Sequence, residues 1–166
     1  RAFADERGSF METWNEARFH ELAGPYHFVQ DNESTSRAGV LRGLHLQLAP
    51  NEQGKLLRVV RGSVLDVCVD VRKDSPTYGR HFKMRLDAVQ GCMLWIPPGF
   101  AHGFLALEDD TVFAYKCTAP YDPKAERTIL WNDQDLGIDW GIERPLVSAK
   151  DSNGSPFAGD WHKPNT

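Results

Sequence analysis

At 166 residues the chain fits one domain with a sizeable core, since a single domain takes about 100 to 200 residues. Residues 152–166, rich in Ser, Asn, Gly and Pro, are expected as an irregular tail of that domain. A net charge of −4, from 19 basic and 23 acidic residues, argues against a nucleic-acid partner, so any anion site has to be concentrated in a pocket.

Cys68, Cys92 and Cys117 are odd in number and far apart, which suggests neither a disulfide framework nor a paired-thiol zinc site. No run of about 18 apolar residues exists to span a membrane. The chain opens on Arg1, without an initiator Met and without the basic-then-apolar profile of a secretion signal. The expectation is a soluble, cytoplasmic protein.

In chain order, the first regular element is a helix over 15–22, with Asn15 as its cap and Phe19 and Leu22 three apart. A strand follows at 27–30. From Val40 onward one theme repeats: five to nine residues of alternating or continuous apolar character, then Gly, Pro, Asn or Asp. The clearest case is 55–72, where Leu57, Val59, Val67, Val69 and Val71 alternate around a turn at Arg61-Gly62, and Asp66, Cys68 and Asp70 share the other face. Further strands are expected at 80–86, 92–96, 103–107 and 111–118. Many short strands without repeats or linkers imply an all-β sandwich or barrel with a few short peripheral helices, the tail packing through Phe157 and Trp161.

Two stretches, Arg42-Gly43-Leu44-His45-Leu46-Gln47 and Trp95-Ile96-Pro97-Pro98-Gly99-Phe100-Ala101-His102-Gly103-Phe104, set a histidine in apolar surroundings, where a polar ring needs a partner. Alternation places His45 on one face with Leu41 and Gln47, and Tyr115 with Phe113 and Cys117. Each alone is readable as a satisfied core residue; together they suggest a site. Arg42 falls on the face opposite His45 unless Gly43 makes a bulge.

A metal site is not expected at His45, because no second His or Glu follows two to five residues on. Gly54-Lys55 is not the end of a phosphate-binding loop, since Ala49 and Leu56 break that motif. Arg7, Arg42, Lys55 and Arg58 cluster around the histidine strand, either as a solvated rim or as a clamp for a diphosphate. His20, His27, His81 and His162 show no constellation.

Several segments together resemble one known family. They are Asp5-Glu6-Arg7-Gly8, Phe28-Val29-Gln30-Asp31-Asn32, Val40-Leu41-Arg42-Gly43-Leu44-His45, Gly54-Lys55-Leu56-Leu57-Arg58-Val59, Ser75-Pro76-Thr77, Ile96 through Phe104, Tyr115-Lys116 and Ile129-Leu130-Trp131-Asn132-Asp133. In order and spacing, from about Phe3 to Asp151, they resemble the dTDP-4-dehydrorhamnose 3,5-epimerases.

The resemblance implies a cupin-type jelly roll, a homodimer, and cofactor-free inversion at C3 and C5 of a dTDP-4-keto-6-deoxyhexose. It implies His45 as base, Asp151 as the group orienting it, Tyr115 as proton donor from the opposite face, and Lys55 beside the enolate oxygen. It also implies substrate contacts from Arg7, Glu12, Gln30, Asn32, Arg42, His102 and Glu126, with Tyr121 stacking on thymine. The sequence departs from the family at Leu46 and Ser9, where aromatic residues are usual, and lacks the strand expected before Phe3, which in this fold can pair with a partner subunit. Two alternatives stay open: an epimerase acting at one carbon only, and a non-catalytic sugar-binding or metal-binding cupin.

Overall fold

The computed structural model describes residues 2–159, 161 and 162; of the expected 152–166 tail, 160 and 163–166 lie outside the described residues. Strands β1 (Ala2–Asp5) and β2 (Gly8–Met11) form an exposed hairpin. Helix α1 (Glu16–Ala23) starts where its cap predicts: the Asn15 side chain accepts from the Arg18 amide at 3.1 Å, satisfying a donor that has no partner within the helix. Phe19 is the helix's buried residue, whereas Leu22 is 88 % exposed and is not on the packed face. Phe19 docks edge-on against Phe28 and Trp95, each with ring centroids 5.1 Å away.

The body is β3 (Gln30–Ser36), β4 (Leu41–Gln47), β5 (Lys55–Arg61), β6 (Ser63–Asp70), β7 (His81–Asp87), β8 (Met93–Ile96), β9 (Phe100–Ala106), β10 (Thr111–Cys117) and β11 (Glu126–Thr128). They make a four-stranded sheet in the order β3-β10-β5-β8 and a five-stranded sheet in the order β11-β4-β9-β6-β7, all antiparallel. This is the expected jelly-roll sandwich. The β5–β6 turn falls at Gly62, as expected, with φ +78°. The strand expected at 27–30 is displaced: the sheet begins at Gln30, and Phe28 instead joins the aromatic cluster with Trp14, Phe19 and Trp95.

Two cores hold the sandwich. Between the sheets, Leu57, Val59 and Phe113 meet Val64, Cys68, Leu86 and Phe104. Outside the five-stranded sheet, Leu41, Leu44, Leu46, Val67, Val69 and Leu105 are covered by Ile129, Leu136, Trp140 and Trp161 from the C-terminal segment, with Phe157 packed alongside. A sheet covered on both faces needs apolar residues on both, which is why β6 and β9 read as nearly continuous apolar runs. No helix of the described residues is long and apolar enough to cross a membrane.

Candidate active site

The site begins at a break in β4. Its register against β9 runs Leu41 to Leu105 and Arg42 to Phe104, then resumes with His45 opposite His102, so β4 spends one residue more than its partner. Gly43 allows this: its φ is +137°, and a Cβ there would lie 2.5 Å from the Gly103 Cα. The bulge turns Leu41 onto the outer core with Leu44 and Leu46, and brings Arg42 and His45 to the same cavity. Plain alternation, which separates Arg42 from His45, fails there.

That cavity, about 600 Å³, lies between the sheets and is lined by Arg42, His45, Lys55, His102 and Tyr115, together with Arg37, Lys150 and Asp151. A smaller lobe of about 260 Å³ shares His45, Lys55 and Tyr115 and adds Gln30, Asn32, Tyr121 and Glu126. Ten of the twelve site residues expected from the resemblance thus line these two pockets, which share His45, Lys55 and Tyr115. Arg7 and Glu12 do not. Arg7 sits in the β1–β2 turn, bonded to Asp5 at 2.6 Å, and Glu12 faces Asn15 and Arg18 on the surface. Arg58 also lies elsewhere, in a groove with Asp31 and Glu33.

Asp151 arrives from the far end of the chain. A parallel bridge between Val40 and Leu146 lays the C-terminal segment along the start of β4. A single helical turn, α2 (Ala149–Ser152), capped by Ser148, then directs Asp151 inward. Its carboxylate lies 2.6 Å from His45 Nε2. Burial opposes ionisation of Asp151, but the bond and charge of His45, with bonds from Ser148 and the Gly43 amide, hold its pKa below the usual carboxylate value. An ionised carboxylate can only accept, so Nε2 carries a proton, and in the neutral form of the ring the lone pair is on Nδ1.

A second histidine pair stands beside the first. His102 Nε2 lies 2.9 Å from Asp66 Oδ2, and both residues are buried. Sequence reading noted Asp66 only as one of three polar residues on a strand face; a carboxylate midway along a strand, flanked by Leu65 and Val67, was the available signal.

On the opposite sheet, Tyr115 is pushed above the usual phenol pKa, chiefly by burial and then by nearby Cys117 and Glu126, against the pull of Arg42. Its hydroxyl therefore holds its proton at neutral pH. Lys55 Nζ lies 5.9 Å from the Tyr115 ring centroid, and burial pushes its pKa down.

Glu126 is held below its ordinary pKa despite burial, by Lys150 at 2.5 Å and the Tyr121 hydroxyl at 2.8 Å. Gln30 bonds Asn32 at 2.9 Å and accepts from the Tyr121 amide at 2.8 Å. Arg37 and Lys150 were missed by sequence reading, since neither the loop that holds Arg37 nor the single turn of α2 that holds Lys150 is long enough to show periodicity; adjacency to Asp151 was the one hint for Lys150. With Arg42 and Lys55 they concentrate positive charge inside an acidic protein.

The family model described as dTDP-4-dehydrorhamnose 3,5-epimerase matches residues 1–159. The chain belongs to this family. It is 51 % identical over 158 residues to the dTDP-4-dehydrorhamnose 3,5-epimerase of Shigella flexneri, covering 95 % of this chain and 87 % of that protein. Among solved structures, the dTDP-6-deoxy-D-glucose-3,5-epimerase of Legionella pneumophila, in complex with dTDP-4-keto-L-rhamnose, is similar with a TM-score of 0.91 and 45 % identity, covering 95 % of this chain and 84 % of that one. A 3'-monoepimerase from Streptomyces bikiniensis, bound to dTDP-quinovose, is similar with a TM-score of 0.89 and 35 % identity, covering 95 % and 81 %. The family is thus one of isomerases, and the solved structures similar to this chain include a single-carbon epimerase.

Proposed function

We propose that this chain inverts C3 and C5 of dTDP-4-keto-6-deoxyglucose, giving dTDP-4-keto-L-rhamnose, and does so by proton transfer across the cavity. The C–H bonds at C3 and C5 flank the C4 ketone, so losing either proton gives an enolate delocalised onto oxygen. His45 Nδ1 removes the proton, Lys55 stands by the enolate oxygen, and Tyr115 delivers a proton from the other face. The imidazolium and phenolate then return to their resting states by exchange with solvent, and the second carbon follows. The proposed chemistry draws on no cofactor.

The observation that carries this reading is the 2.6 Å His45–Asp151 pair on one sheet with protonated Tyr115 on the facing sheet of the same cavity. Arg37, Arg42 and Lys150 supply charge for the diphosphate, Gln30, Asn32, His102 and Glu126 hydrogen-bond the ligand, and exposed Tyr121 offers a stacking face for thymine. Higher identity to the double epimerase than to the 3'-monoepimerase favours inversion at both carbons.

The active unit in this reading is a homodimer. A two-stranded hairpin is marginal alone, yet β1–β2 carries Phe3 and Phe10 at 56 % and 71 % exposure, which supports docking on a second copy. Arg7, at its turn, is then available to the partner's cavity, and Glu12 lies just beyond the same hairpin. One domain over 1–166 and a cytoplasmic setting complete the reading, the latter supported by three free cysteines.

The test is turnover of dTDP-4-keto-6-deoxyglucose in heavy water. Deuterium is expected at both C3 and C5; incorporation at neither refutes the assignment, and at one alone makes the chain a mono-epimerase. His45→Asn should abolish exchange, while Tyr115→Phe should spare exchange more than inversion. Equal loss in both variants would refute the two-face arrangement.

A further inference from the structure

Outside the cavity lining, α1 and the segment after it bring together a side-chain set that the epimerase reading does not use. Glu16 and His20 stand one turn apart on α1, and His27 reaches back to them from the loop before β3. His27 Nδ1 lies 3.1 Å from Glu16 Oε1, and His20 Nε2 lies 3.9 Å from the same oxygen. The two imidazoles meet edge-on with centroids 5.5 Å apart. Among the described residues this is the only group of three or more His, Cys, Asp or Glu side chains whose ligating atoms all lie within 4.8 Å of one another. The sequence-based expectation that His20 and His27 belong to no constellation is therefore corrected: the 24–27 turn supplies a neighbour that linear spacing does not show.

We propose that Glu16, His20 and His27 form a binding site for one divalent transition-metal ion of the zinc, copper or nickel class. Two imidazoles and one carboxylate match the ligand preference of those ions, water completing the shell. Donors around a tetrahedral zinc stand about 3.4 Å apart, so the observed separations need only small side-chain rotations.

The carriers are rigid, which a metal site requires. Phe19, one residue before His20, and Phe28, one after His27, are packed against each other and against Trp95. Tyr26 packs on Trp95 at 4.9 Å; His20 Nε2 donates to its carbonyl oxygen at 3.1 Å, and metal binding exchanges that bond for one to the ion, releasing the Nε2 proton. A bound ion would therefore tie α1 to the stretch that enters β3 at Gln30, a staple at the surface made of side chains that do not line the cavity.

The experiment is calorimetric titration of tag-free protein with Zn²⁺, paired with the spectrum of bound Cu²⁺. One ion per chain, a rise in melting temperature on adding Zn²⁺, and copper–nitrogen coupling from two imidazoles are expected. His20→Gln and His27→Gln, each with a circular dichroism spectrum like that of the parent, should each weaken binding by at least about tenfold and abolish the thermal shift. Absence of stoichiometric binding overturns the proposal. So does binding of undiminished strength in the His20→Gln/His27→Gln double variant, which would place the ion at other histidines.

Discussion

Replacing Asp151 by Asn keeps the shape of the side chain and removes its charge, which tests the His45 pair directly. A hydrogen bond to a charged group contributes about 1.5–3 kcal/mol, and each 1.36 kcal/mol of transition-state stabilisation is about tenfold in rate. The worked range is a loss of roughly 10- to 150-fold in kcat. Asp151 is only 2 % exposed, so little solvent stands in for the missing charge, and the result should fall near the upper end, about 100-fold. The loss should appear in the initial rate of deuterium uptake at C3, followed by NMR, with dTDP binding unchanged. The amide can also donate to Nε2, which would move the ring proton to Nδ1 and disable the base. Exchange in Asp151→Asn within about threefold of the parent rate, less than half a decade, would refute the assignment of Asp151 as the residue that orients and charges His45.

Lys55→Met should separate activity from stability: kcat falls by about 10²- to 10³-fold on removing the cation beside the enolate, while the melting temperature holds or rises, because a cation disfavoured by burial is gone. Gly43→Ala should cost roughly 2–4 kcal/mol through the left-handed backbone and the clash with Gly103, lowering the melting temperature by roughly 5–15 °C and activity with it, since the bulge aims His45. Asp70 is held well below the usual carboxylate range, first by Arg72 and, against the opposing effect of burial, also by Ser75 and Thr77. The unfolded chain therefore binds more protons than the native one in acid, and this stability is present above about pH 4 and lost as pH falls further. Melting temperatures measured from pH 2 to 7 should show that slope flattened in Asp70→Asn.

Local signals in the sequence were readable wherever a short-range rule decides the outcome. Asn15 caps α1 because a side-chain oxygen three residues before an amide can reach it, and Gly62 turns the β5–β6 hairpin because it tolerates a positive φ. Strand β3 was not readable: Gln30-Asp31-Asn32-Glu33-Ser34-Thr35-Ser36 contains no apolar residue, and only pairing with β10 makes it a strand. Leu22, three residues after Phe19, fits an apolar helical face but is exposed, since aromatic packing of Phe19 alone docks the helix.

Sequence by itself determined the all-β class, the family, and ten side chains that share the cavity, because apolar period, turn chemistry and motif order are properties of the chain. It could not decide which face Arg42 presents, since one inserted residue at Gly43 reverses alternation and that insertion exists only against β9. Nor could it show that Asp66 backs His102, that Lys150 meets Glu126, or that Arg7 and Glu12 stand apart from their own cavity. The His45–Asp151 pair joins residues 106 positions apart; only closure of the sheets and the Val40–Leu146 bridge holds them within hydrogen-bond reach. Such contacts are set by how distant segments pack, which no local pattern encodes.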